Sequence, residues 1–94
     1  MNLKNLHLAG RSVSALSIFK GEGSVVSLQI SAGETLKEHI TKIPACMICI
    51  SGEAVFKNEQ DLKITLNPGD YVMVEPSVKH HVFAKIDSQL ILMK

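Results

Sequence analysis

Apolar residues recur at every second position through most of this chain, in short runs divided by turn residues. A period of two puts successive side chains on opposite faces of a strand, whereas a helix needs a period near ~3.6. Val13 to Phe19 is the first expected strand, ended by Lys20-Gly21-Glu22-Gly23-Ser24. Val25 to Ile30 follows, with Val26, Leu28 and Ile30 on one face, until Ser31-Ala32-Gly33-Glu34 breaks it. Further strands are expected over Thr35 to Thr41, Ala45 to Ile50, Ala54 to Lys57, Leu62 to Leu66, Tyr71 to Glu75, His80 to Lys85 and Gln89 to Met93. Asn67-Pro68-Gly69-Asp70 is the strongest turn signal, because proline presets one backbone angle and glycine supplies the positive one. Only Leu3-Lys4-Asn5-Leu6 suggests a helical turn. Short strands at such even spacing predict an all-β sandwich or barrel.

At 94 residues the chain is long enough for one domain and too short for two. The expected division is an N-terminal segment, 1–12, and a barrel, 13–94. Aromatic residues are only 4% of the chain, so the core must be filled by Val, Ile, Leu and Met. A formal net charge of +1, with no basic run, argues against nucleic acid or an anionic membrane surface as partner. No apolar stretch approaches the ~18 residues of a membrane span. The start, Met1-Asn2-Leu3-Lys4-Asn5-Leu6-His7-Leu8, lacks the apolar core of a secretory signal, so the expected location is the cytoplasm.

Two spaced runs carry the chemistry. In the first, Gly33 is followed after five residues by His39, after one more by Thr41, after three by Ala45 and after six by Gly52. The second runs from Gly69 through Pro76 to His80. Together they resemble the two motifs of the cupins. That resemblance implies a small jelly-roll β-barrel of two antiparallel sheets, with the motifs facing each other inside it. It also implies metal ligands at the positions of His39, Thr41, Ala45 and His80, where the cupin pattern has His, His, Glu and His. Thr41 and Ala45 depart from that set. Ser77 stands where a glycine often precedes the last histidine, and Ala84 where an asparagine often closes the motif.

Strand parity sets the expected site. His39 and Thr41 should point inward from one strand, Ala45, Met47 and Cys49 from the next, and His80, Val82 and Ala84 from the opposite wall. The expected ligand-binding residues are therefore His39, Thr41, Met47, Cys49, His80 and Val82, a fairly apolar cavity with few polar anchors. This predicts a small-molecule-binding barrel, for a sugar or an acid, that is non-enzymatic or weakly catalytic. The alternative is a metal-dependent dioxygenase or isomerase, with His39 and His80 holding Zn, Fe, Ni or Mn. A catalytic site of that kind normally has three protein ligands, and a neutral threonine does not replace a carboxylate. Glu75 or His81 would complete the shell if the loop at Pro76 bent inward, although parity turns His81 outward.

Other candidates read as structural. Cys46 and Cys49, three apart on a strand, lie on opposite faces and do not form a chelating or disulfide pair. Ser14, Ser17 and Ser51 lack a histidine–acid relay. Glu34, Lys37 and Glu38 read as solvated strand-end charges, Tyr71 as a residue at the cavity or its edge, and His7 as lacking a partner. Cys46, Ile48 and Ile50 form an outward apolar row, which a soluble barrel would cover by forming a homodimer.

Overall fold

The computed structural model describes residues 1–94 except for the side chain of His39. One 3-10 turn, Leu3–Asn5, precedes nine strands. These are β1 (Val13–Lys20), β2 (Ser24–Ile30), β3 (Thr35–His39), β4 (Ala45–Ser51), β5 (Ala54–Asn58), β6 (Lys63–Leu66), β7 (Tyr71–Val74), β8 (His80–Ala84) and β9 (Ser88–Met93). Every expected strand is present, its ends moved by no more than two residues. The expected helical turn is the 3-10 turn.

The strands form two antiparallel sheets, β1-β2-β9-β4-β7 and β3-β8-β5-β6. From β2 onward the chain crosses between them repeatedly, so strands distant in sequence pair, as Leu28 does with Leu90 and Ala54 with Ala84. The alternation predicts an all-β sandwich or barrel, and the two sheets are those of the jelly roll that the cupin resemblance implies. Burial follows the period of two where one face is solvated: β7 buries Val72 and Val74, and β8 buries His80, Val82 and Ala84.

The inner faces meet in one continuous core that includes Ile30, Met47, Phe56, Leu66, Val82 and Leu90. Among the described residues, Phe56, 1% exposed, is the only Phe, Tyr or Trp in it. Aliphatic and sulfur-bearing side chains supply the rest, as the composition requires.

The first twelve residues are tied to the outside of the larger sheet. Gln89 donates its side-chain amide to the Leu3 carbonyl at 3.0 Å. His7 lies between two serine hydroxyls, 2.9 Å from Ser14 through Nδ1 and 2.9 Å from Ser27 through Nε2. This corrects the reading of His7 as partnerless. The partners sit seven and twenty residues away, at separations that no local pattern reports.

Candidate functional site

His80 opens β8. Its place in the inward series His80, Val82, Ala84 leaves it 1% exposed. The ring stacks on Phe56 with centroids 5.5 Å apart and planes 20° from parallel. Its Nδ1 lies 3.5 Å from the Val78 carbonyl oxygen. On the flanking strands its register partners are His39 on β3 and Asn58 on β5. The backbone thus sets the two histidines directly opposite each other, while the His39 side chain, and with it the expected pairing of imidazoles, lies outside the described residues.

Thr41 lies just beyond β3 and is 2% exposed. Its carbonyl accepts from the Ser77 N–H at 2.9 Å. Its hydroxyl is buried and has no hydrogen-bond partner among the described residues. Leu36 also packs against the core, although it is separated from Thr41 by an odd number of positions. The register explains this: between Leu36 and His39 the pairing with β8 shifts by one residue, a β-bulge that exchanges inward and outward positions. An uninterrupted period of two carried back from Thr41 would put Lys37 and Thr35 inside. Both are exposed.

Ser77 turns the chain between β7 and β8 with φ of 64°. A left-handed backbone there accounts for the glycine often found at this place in the cupin pattern, since only glycine adopts it without a Cβ penalty. Ser77 adopts it while bonding Thr41, which joins the segment entering His80 to the end of β3.

The remaining expected site residues separate along the barrel. Met47 and Val82 are fully buried in the core, and Ala45 is 3% exposed on the stretch of β4 before Met47. Cys49 is also fully buried but lies four residues beyond Ala45, roughly 13 Å along the strand. It pairs with Leu90, which the short connection after Ala84 places at the end of the barrel remote from His80. Its thiol donates to the Ser51 carbonyl at 3.4 Å. Burial pushes the Cys49 thiol above its ordinary range and the Asp70 charge adds to this, while the hydrogen bond to Ser51 opposes it. Thr41 and His80 therefore mark one end of the interior, Cys49 the other, with Met47 and Val82 between them.

Tyr71 is 64% exposed, on the outer face of β7, and so lies neither in the interior nor at its edge. Its neighbour Val72 takes the inward position. His81 is half-buried at the outward parity, and Glu75 is exposed. Glu34, Lys37 and Glu38 are exposed at the surface, as solvated charges should be. Cys46 and Cys49 are free thiols on opposite faces of β4. The loop between β3 and β4 carries two exposed apolar side chains beside Thr41, Ile40 and Ile43, 48% and 53% accessible. Sequence alternation passes over them because they lie outside any strand.

No protein-family model and no curated protein matches this chain. Solved structures do. A cupin superfamily protein from Desulfitobacterium hafniense superposes with a TM-score of 0.86 at 19% identity, covering 98% of this chain and 84% of its own. An uncharacterized conserved protein with a double-stranded beta-helix domain from Klebsiella pneumoniae gives 0.85 at 14% identity, covering 99% and 85%. An RmlC-like cupin protein from Desulfovibrio desulfuricans gives 0.79 at 24% identity, covering 95% and 91%. What is common at such identities is the path of the backbone. The chain has the cupin fold.

Many cupin patterns imply a metal, and the residues present test whether one would fit. Ala45 contributes a methyl where the pattern has a carboxylate, and Thr41 a neutral hydroxyl where it has an imidazole. Among the described residues no three His, Cys, Asp or Glu side chains come together to hold an ion. Such a donor set does not fit the His and carboxylate shell of the usual interior metal.

Proposed function

We propose that this chain is a cupin that binds a small polar organic molecule, a sugar or an organic acid, at the end of the barrel marked by Thr41 and His80. The observation that carries the reading is the buried Thr41 hydroxyl with no partner among the described residues. Leaving such a group unsatisfied costs about 1–3 kcal/mol, which a ligand hydroxyl or carboxylate would recover. His80, held by its stack on Phe56, would supply an oriented imidazole, and Met47 and Val82 an apolar wall that excludes water. Because those wall residues are fully buried, entry would require the segment around Ile40 and Ile43 to move aside.

Binding of this kind needs no metal and no reaction. The test is ligand-observed NMR with a panel of sugars and small organic acids, followed by calorimetry on any binder. Thr41→Val and His80→Asn are each expected to weaken binding by roughly tenfold, the share of one good hydrogen bond. A binder whose affinity neither substitution changes would place the site elsewhere and end the proposal. The same reading includes a second copy of the chain as partner, over the apolar outer face of the larger sheet.

A further inference from the structure

The outer face of the larger sheet brings three sulfur atoms into one row. Cys46 on β4 is the direct register partner of Met93 on β9 and of Met73 on β7. The three strands are adjacent, in the order β9-β4-β7. Ala45, Met47, Val72, Val74 and Leu92, the sequence neighbours of the three, all belong to the core, so Cys46, Met73 and Met93 share the opposite face. Directly opposed residues stand with Cβ atoms about 4.5–5.5 Å apart, and a methionine side chain has enough rotatable bonds to swing its sulfur toward a neighbour. Cys46 and Met93 are half-buried and Met73 is 59% exposed. All three line a groove of about 410 Å³ shared with Phe19, Val25 and Pro44.

We propose that Cys46, Met73 and Met93 form a three-sulfur site for monovalent copper on the outer face of the larger sheet. One thiolate and two thioethers are soft donors, the class that selects Cu(I) over harder divalent ions. Charge supports the same choice. A single thiolate neutralises Cu(I), giving an uncharged complex suited to an apolar groove, whereas a divalent ion would keep a net positive charge there. Binding forms the copper–sulfur bonds and releases the Cys46 proton to solvent, with no change of oxidation state. All three donors belong to one chain, so the expected stoichiometry is one Cu(I) per chain. The site is independent of ligand binding at Thr41 and His80.

The test is anaerobic titration of the reduced full chain with Cu(I) in competition with bicinchoninate, with X-ray absorption on the loaded protein. One Cu(I) per chain in a sulfur-only shell is expected. Cys46→Ser should abolish competition, and Met73→Leu combined with Met93→Leu should weaken binding by about tenfold or more with the thiol intact. Those leucines conserve volume on a partly exposed face, and circular dichroism confirms that each variant is folded. Cys49→Ala, on the inner face, should bind as wild type does. Copper retained by Cys46→Ser, a nitrogen-containing shell, or a double methionine variant indistinguishable from wild type would each overturn the proposal.

Discussion

Thr41 buries a hydroxyl, and that has a measurable consequence for the ligand-free protein. Thr41→Val removes an oxygen that has no partner among the described residues and adds a methyl. The variant should be more stable by about 1 kcal/mol in urea unfolding, and a loss of that size would show that the hydroxyl is satisfied after all. Ser77 offers a second test, because its φ of 64° carries a Cβ penalty. Ser77→Gly should gain about 0.5–1 kcal/mol, the strain relieved less the added freedom of the unfolded chain. Cys49 gives a pH dependence. Its folded thiol is held above the ordinary value of 9.0, chiefly by burial, so in alkali the unfolded chain loses that proton first. The folded state then binds more protons, and stability falls as pH rises past the ordinary thiol range, by at most ~1.4 kcal/mol per pH unit until the raised folded value is reached. Denaturant midpoints compared between wild type and Cys49→Ala across that range should show the shallower decline in the variant.

Among the turns and strands, the connection between β4 and β5 is the most tightly specified. Gly52 has φ of 91°, and a Cβ there would collide with the Asp87 carbonyl and the Ser88 hydroxyl. Ser88 is itself committed, accepting from the Glu53 N–H and donating to the Ile86 carbonyl, so it has little freedom to withdraw. Gly52→Ala should cost about 3 kcal/mol or more from the two effects together, read as a fall in thermal midpoint. A loss under 1 kcal/mol, on the order of one ordinary substitution, would mean that the turn relaxes freely. β3 shows the opposite property, tolerance built into a strand. Its one-residue shift against β8 lets Leu36 pack on the core while Thr41, just past the strand end, is also buried, although a regular period of two would turn them to opposite faces.

Across the whole molecule, the two faces of the larger sheet have different fates. The inner face is sealed in the core, while the outer face, away from the groove of Cys46, Met73 and Met93, leaves Leu16, Ile50 and Tyr71 exposed. A second copy laid against this apolar surface belongs to the proposed function. Light scattering at high protein concentration should therefore give a dimer mass for the wild type. Ile50→Glu with Tyr71→Glu should give a folded monomer, since both side chains are already accessible and neither supports the core. A monomeric wild type would remove the second copy from the functional reading without touching the site at Thr41 and His80.

The strand inventory could be read from the chain because it follows from short-range rules, whereas the two-sheet jelly roll was expected from the resemblance of two spaced motifs to the cupins. A period of two and Gly–Pro turns both act over a few residues. The same rules anticipated the buried series Ala45, Met47, Cys49 and His80, Val82, Ala84, and the outward Cys46. They did not anticipate how the site residues spread along the barrel. His80 and Cys49 share an inward parity but lie at opposite ends, and parity carries no information about depth. Nor could they show that His7 spans Ser14 and Ser27, or that Cys46 stands in one row with Met73 and Met93. Those relations depend on register between strands far apart in sequence, which is set only when two curved sheets close on one another and bury a common core.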